Sequence, residues 1–75
     1  MSEIAETVIQ IISEKLNIDP SEITYDANLT RDLGADSVDL VELTMELERA
    51  FEISIPEEHA EQMQTVIDII QYLQN

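Results

Sequence analysis

The spacing of apolar residues, which in three stretches matches an amphipathic α-helix, is the strongest constraint on the fold of this chain. In the first stretch, Ile4, Val8, Ile11 and Ile12 recur at i, i+4, i+7 and i+8, as expected for one buried face of a helix. The pattern predicts a helix over about residues 3–16. A short β-like run at residues 53–55 has no second strand to pair with, so an all-α fold is indicated.

The second helical stretch, residues 36 to 50 or 51, carries two apolar faces. The wide face suits a core and contains Leu40, Leu43, Thr44, Leu47, Ala50 and Phe51. Val38, Val41 and Met45, here named the apolar stripe, lie on nearly the opposite side. A helix with one core face does not need a second stripe, so a docking surface is one interpretation, and scattered surface hydrophobes are the other. Acidic residues surround the stripe: Asp39, Glu42, Glu46, Glu48 and Glu52.

The rest of the chain completes a small helical bundle. Residues 17–35 form a long connection with a turn or a single helical turn at Pro20. Pro56 favours the start of a short helix over about residues 57–62, and Thr65 begins a last helix. We therefore expect one domain over residues 1–75, an up-and-down bundle of three main helices and one short helix.

A serine follows the one glycine of the chain at the start of the second helix. Gly34 indicates a positive φ or a close backbone approach. Asp36 is a good N-cap residue, and Asp39 adds negative charge to the first turn. Ser37 would then lie exposed at a helix N-terminus, where free N–H groups favour a phosphate. The alternative is that Ser37 serves only as a capping residue.

The charge of the chain limits its partners. Seventeen acidic residues against three basic ones give a net charge of −14. Nucleic acids and anionic membrane surfaces are therefore not expected partners, whereas proteins with basic surfaces are. No apolar run is long enough to span a membrane, and no signal peptide is expected. A cytoplasmic location is predicted, with a plastid or another organelle as the alternative if a transit peptide has been removed.

The sequence argues against a metal site and against hydrolysis at Ser37. There is no cysteine, and His59 is the single histidine, so no specific metal site is expected. A calcium-loop interpretation of the acidic residues after Tyr25 fails, since Arg31 occupies the required glycine position. A catalytic serine would need an oriented base, for which His59 is the one histidine candidate.

Residues 33–43 (LGADSVDLVEL) resemble the acyl carrier proteins of bacterial-type fatty acid synthesis. Residues 55–58, 65–66 and 68–73 also resemble the later helices of that family. The family motif is Asp-Ser-Leu, so Val38 departs from it. The resemblance implies that Ser37 carries 4'-phosphopantetheine from coenzyme A and that the protein is a non-catalytic carrier of acyl thioesters.

The resemblance also implies the partners and the placement of the cargo. A phosphopantetheinyl transferase, fatty acid synthase enzymes and acyltransferases would bind through basic patches. Nothing in the sequence requires a dimer, so a monomer is expected, with a dimer as the alternative. The expected docking residues are Asp36, Val38, Asp39, Val41, Glu42, Met45 and Glu48. The expected acyl pocket comprises Leu29, Leu40, Thr44, Leu47, Ile55, Ala60, Met63 and Ile69, although these residues could equally be ordinary core.

Two alternatives to a fatty acyl carrier remain open at this point. The first is a carrier of the same fold for polyketide or amino-acyl cargo. The second is an acidic adaptor protein that binds basic partners and is never modified at Ser37.

Overall fold

A computed structural model describes residues 2–74 and places three long helices around a common core. The helices in this range are α1 (Glu3–Leu16), α2 (Ser37–Phe51), α3 (Glu57–Ala60) and α4 (Val66–Gln74). A short 3₁₀ turn, Pro20–Glu22, follows α1. The predicted all-α bundle is confirmed, with its long loop between α1 and α2.

Polar caps define where the long helices begin. The Ser2 hydroxyl accepts a hydrogen bond from the N–H of Ala5 at 3.1 Å and caps α1. At α4, the N–H of Asp68 donates to the Thr65 hydroxyl, and the Asp68 carboxylate accepts from the N–H of Thr65. The capping arrangement predicted by the spacing of Thr65 and Asp68 is confirmed, and the helix itself begins at Val66. Each capping interaction satisfies N–H groups that have no partner within the helix.

The ends of α1 and α2 are unusual because residues other than glycine adopt the left-handed conformation there. Asn17 has φ 59° and Glu52 has φ 56°. This conformation closes the last turn of each helix, since the N–H of Asn17 donates to the carbonyl of Ser13 and that of Glu52 to the carbonyl of Glu48. The short helix α3 ends at Ala60, two residues earlier than predicted.

The core is formed by apolar side chains from all of the long helices and from the loop. Helix α1 packs against both α2 and α4. No polar or charged residue is buried among residues 2–74. The buried core residues are Ala5, Val8, Ile12, Ile23, Ala27, Leu29, Ala35, Leu43, Leu47, Ile55, Met63, Val66, Ile69 and Ile70.

The loop between α1 and α2 is tied to the start of α4 by backbone hydrogen bonds. The N–H of Leu29 donates to the carbonyl of Gln64 at 2.9 Å, and the N–H of Val66 donates to the carbonyl of Ala27 at 3.1 Å. Ala27 and Leu29 are both buried. The loop therefore forms part of the core and positions the residues that precede α2.

Asp19 stabilises the 3₁₀ turn at the beginning of this loop. Its carboxylate accepts hydrogen bonds from the Ser21 hydroxyl at 2.7 Å and from the Ser21 N–H at 2.9 Å. The side-chain hydrogen bond from Ser21, followed by the backbone one, lowers the pKa of Asp19 below its usual value.

Candidate functional site

The turn before α2 is built on the conformation of Gly34. Its φ of 76° confirms the predicted positive value, and within residues 2–74 no heavy atom outside Gly34 and its two chain neighbours lies within 4 Å of the position that a Cβ would occupy. The glycine is therefore required for backbone conformation and not for a close approach. The next residue, Ala35, is buried, and its N–H donates to the carbonyl of Leu29 at 2.9 Å. The buried loop thus fixes the start of α2.

Asp36 and Asp39 cap α2 reciprocally. The Asp36 carboxylate accepts from the N–H of Asp39 at 2.8 Å, and the Asp39 carboxylate accepts from the N–H of Asp36 at 3.1 Å. This capping box satisfies donors at the helix start. Ser37 is the first residue of the helix, so the interpretation of Ser37 as a capping residue is wrong: Asp36 holds that role.

The hydroxyl of Ser37 is free to react or to be modified. Ser37 is exposed, and its hydroxyl makes no hydrogen bond to any other residue in the range 2–74. The N–H groups of Ser37 and Val38 likewise have no acceptor within that range. These donors at the positive end of a helix of 15 residues suit a phosphate attached to the Ser37 oxygen.

The structure does not provide Ser37 with a general base. His59, the one histidine, lies at hydrogen-bond distance from Tyr72, with 2.9 Å between Nδ1 and Oη. Within residues 2–74, no side chain forms the hydrogen bond to the Ser37 hydroxyl that a nucleophile–base pair requires. In the described part of the chain, the exposed hydroxyl of Ser37 therefore has no side chain at hydrogen-bond distance that could take up its proton.

The apolar stripe of α2 is exposed to solvent. Val38, Val41 and Met45 have 61%, 60% and 51% of their surface accessible. The stripe begins immediately after Ser37 and continues for two turns of the helix. An exposed apolar strip of this kind, surrounded by charged side chains, has the anatomy of a protein interface.

Three acidic side chains around the stripe, those of Glu42, Glu46 and Glu48, are engaged within the molecule, which the sequence did not indicate. Glu42 lies 3.5 Å from Lys15 of α1, and Glu46 lies 2.8 Å from Arg49. Glu48 accepts a hydrogen bond from the N–H of Ile55 at 2.7 Å. Of the predicted docking residues, Glu48 therefore also stabilises the turn after α2.

A cavity of about 550 Å³ lies between α2, α3, α4 and the loop. Seven of the eight predicted pocket residues line it. They are Leu29, Leu40, Thr44, Leu47, Ala60, Met63 and Ile69. Its apolar wall is of the type that surrounds apolar ligands.

Ile55 is the exception among the predicted pocket residues. It is buried in the core but does not line the cavity. Its N–H donates a hydrogen bond to the Glu48 carboxylate in the turn after α2. The place of Ile55 in the acyl pocket therefore stays a prediction.

Several cavity residues were missed by sequence reasoning. Most of the missed residues are polar side chains of the loop, of α3 and of the turn after α3. Their positions depend on contacts between distant parts of the chain, which leave no periodic pattern in the sequence. Val41 also belongs to this set and joins the cavity wall to the apolar stripe. The missed residues are Asn28, Thr30, Arg31, Val41, Leu43, Glu57, Glu61 and Gln64.

Two further findings concern metals and membranes. Among residues 2–74, no three histidine, cysteine or acidic side chains are grouped so that they could hold a metal ion. None of the helices in this range combines the length and the apolar character needed to cross a bilayer.

Comparison with known proteins adds independent information on this site. Residues 6–73 match the family described as "Phosphopantetheine attachment site". A protein of Amoebophilus asiaticus named "Acyl carrier protein" is 53% identical over 74 residues, which cover 99% of this chain and 92% of that one. A protein of Porphyromonas gingivalis with the same name is 46% identical over 74 residues, covering 99% of this chain and 95% of its own.

Proposed function

This chain belongs to the acyl carrier protein family, which has a phosphopantetheine attachment site, and from that premise we propose that Ser37 is the attachment residue. The protein carries fatty acyl groups as thioesters between the enzymes of fatty acid synthesis. The observation that carries this proposal is the exposed Ser37 hydroxyl, which stands at the first position of α2 and has no hydrogen-bond partner among residues 2–74. Residues 1–75 act as one carrier domain, since the helices share one core.

The residues around Ser37 have separate tasks in this function. The Ser37 oxygen would hold phosphopantetheine through a phosphodiester, and the N–H groups of Ser37 and Val38 would stabilise the phosphate charge. Asp36 and Asp39 bind each other's N–H groups, which fixes the helix end on which Ser37 is presented. When it is attached, phosphopantetheine supplies the thiol that this cysteine-free chain lacks.

The apolar stripe of α2 is the proposed docking surface for the modifying transferase and the enzymes of fatty acid synthesis. Its three residues are exposed and adjacent to Ser37, so a bound enzyme would reach the serine. Met45 suits a surface that serves several partners, because its side chain is flexible. The net charge of −14 favours partners with basic surfaces and speeds their encounter.

The cavity beside α2 is the proposed shelter for the acyl chain. Leu40 and Val41 line it and lie one turn after Ser37 in the same helix. An apolar chain placed there is removed from water, which is favourable by roughly 0.8 kcal/mol for each buried methylene group. The protein itself supplies no catalytic group for the transfer of the acyl chain. That it is a monomer in the cytoplasm stays a prediction from the sequence.

The proposal is tested by loading the protein and measuring its intact mass. The protein is incubated with coenzyme A, magnesium and a phosphopantetheinyl transferase, and then charged with a fatty acid. We expect a gain of one phosphopantetheine and then of one acyl group, and hydroxylamine should release the acyl group because it is a thioester. Ser37→Ala should gain neither, whereas the control Ser54→Ala should behave as the parent. A folded parent that gains no mass beside an active transferase control would support the unmodified adaptor instead.

A further inference from the structure

The short helix α3 forms part of the cavity wall but is weakly attached to the rest of the protein. Glu57, Ala60 and Glu61 line the cavity. None of the four residues of α3 is buried, and its N-terminus has no side-chain cap. The N–H groups of His59 and Ala60 donate to the nearby carbonyl of Pro56 and not to another helix. Few buried contacts and local hydrogen bonds are the marks of a segment that opens easily.

One side-chain contact joins α3 to α4. The Nδ1 atom of His59 lies 2.9 Å from the hydroxyl oxygen of Tyr72. The two rings also meet edge to face, with centroids 5.4 Å apart and an interplanar angle of 67°. Within residues 2–74, this is the one side-chain hydrogen bond between α3 and another helix. Tyr72 is half-buried on α4, a helix fixed in the core by Val66 and Ile69.

The contact lies away from the cavity. At about 100° per residue, His59 is displaced by roughly 200° from Glu57 around the helix, and it does not line the cavity. The contact with Tyr72 therefore lies on the side of α3 opposite to the cavity, which Glu57, Ala60 and Glu61 line.

We propose that the His59–Tyr72 contact is a latch that fixes the α3 wall of the cavity. His59 and Tyr72 are positioning residues, and through α3 they determine how often the cavity opens to water. The effect on an acyl chain rests on the proposed function, whereas the mechanical effect on α3 does not depend on it.

Hydrogen exchange of the unmodified protein tests the latch directly. Tyr72→Phe removes one hydroxyl and keeps the ring. Because a hydrogen bond of this type contributes modestly, we expect the amides of Ala60 and Glu61 to exchange about two- to tenfold faster. The amides of Ile69 in α4 should keep their rate. Unchanged exchange in α3, or equal acceleration in α3 and α4, would overturn the latch, since the second result reports a global loss of stability.

A matched control removes a tyrosine hydroxyl elsewhere. Tyr25 is exposed, and its hydroxyl has no hydrogen-bond partner within residues 2–74. Tyr25→Phe should leave the exchange of α3 unchanged. If it accelerates exchange in α3 as much as Tyr72→Phe does, the latch is contradicted.

A double-mutant cycle tests whether His59 and Tyr72 act through each other. His59→Phe keeps an aromatic ring and removes Nδ1, so it should accelerate exchange in α3 to the same extent as Tyr72→Phe. The double variant should show no further acceleration, because either change alone already breaks the hydrogen bond. Effects that multiply in the double variant would mean that the two residues act independently and would overturn the proposal.

The consequence for the cargo is measured on acylated protein. Cleavage of the thioester by hydroxylamine should be about two- to tenfold faster in Tyr72→Phe than in the parent and in Tyr25→Phe. Faster exchange in α3 without faster cleavage would refute the effect on the cargo and leave the latch in place. If Ser37 cannot be loaded at all, the proposed function fails, while the exchange rates still decide whether the latch exists.

Discussion

Asp36 and Ser37 are neighbours at one helix end, but their side chains have different environments. The Asp36 carboxylate is bound by the N–H of Asp39, whereas the Ser37 hydroxyl has no partner within residues 2–74. A serine used only as a cap would have its oxygen engaged with the helix backbone. Because an aspartate performs the capping, the serine is available for covalent attachment.

Gly34 is the residue on which the geometry of this helix end depends most. At φ 76°, an alanine would be strained by about 1–2 kcal/mol, although its Cβ would meet no atom within 4 Å. Gly34→Ala should lower the free energy of unfolding by that amount, as measured by urea denaturation. The control is Glu52→Gly. Glycine removes the backbone strain at this left-handed position but loses more conformational entropy on folding, so the free energy of unfolding should change by less than about 1 kcal/mol. An unaffected Gly34→Ala would contradict the role given to the conformation.

Leu47 tests the assignment of the cavity. It is 1% exposed and lines the cavity. Leu47→Trp should fill part of the space, destabilise the protein by about 1–3 kcal/mol through overpacking, and shorten the longest acyl chain that raises the melting temperature. Leu73→Trp, at a half-buried position outside this cavity, is the control and should keep the chain-length limit. An unchanged limit in Leu47→Trp would show that the acyl chain lies elsewhere.

At the scale of the elements, α2 combines three tasks on different faces. Leu43 and Leu47 lie in the core, the apolar stripe is exposed, and Ser37 stands at the N-terminus. Val41 is exposed and also lines the cavity. A partner that covers the stripe would therefore contact the edge of the cavity as well as Ser37.

The stripe is tested with polar substitutions that preserve side-chain size. Met45→Gln and Val38→Thr should change the free energy of unfolding by less than about 0.5 kcal/mol, since both side chains are exposed. Together they should lower kcat/KM of the phosphopantetheinyl transferase at least about tenfold, because apolar contacts at the centre of an interface are lost. Ile53→Gln, an exposed apolar residue outside α2, is the control. If the parent, the variant with both stripe substitutions and the control Ile53→Gln have equal kcat/KM values, the stripe is excluded as the docking surface.

The elements differ in how far the sequence alone could predict them. The bounds of α1 and α2 follow from apolar periodicity and from polar caps, which are local properties of the chain. The end of α3 at Ala60 was not predicted, because a helix of one turn has too few residues to show a period. The apolar anchors Ile23 and Leu29 predict that the loop packs on the bundle, and both are buried. The backbone hydrogen bonds that tie the loop to α4 could not be predicted, since they join Leu29 and Val66 to residues distant in the sequence.

The candidate site could likewise be predicted from the sequence only in part. Ser37 and the stripe could be identified because a motif and a helical spacing mark them. The internal partners of Glu42 and Glu48 are Lys15 of α1 and the backbone of Ile55. Neither contact has a sequence signal, since each depends on how the folded elements meet.

At the scale of the whole molecule, the excess of negative charge opposes the compact state. The chain has 17 acidic residues and three basic ones. Two of the basic residues, Lys15 and Arg49, form ion pairs with glutamates of α2. Pairs at this level of exposure contribute little to stability. The remaining repulsion is distributed over the surface and is therefore sensitive to ionic strength.

Added salt or divalent cations should accordingly raise the melting temperature, measured by circular dichroism across a titration. A variant with Glu22→Gln and Glu58→Gln has two fewer negative charges at exposed positions and should show a smaller increase. A flat or falling melting temperature in the parent would contradict a stability limited by charge repulsion.

The carrier function proposed for this protein requires that Ser37 is the modified residue, and fragmentation mass spectrometry of the loaded protein identifies that residue. The chain contains five serines, at positions 2, 13, 21, 37 and 54. We predict that phosphopantetheine is found on the peptide containing Ser37 and on no other peptide. Modification of another serine, or of none in a folded protein beside an active transferase control, would contradict the assignment of Ser37 as the attachment site.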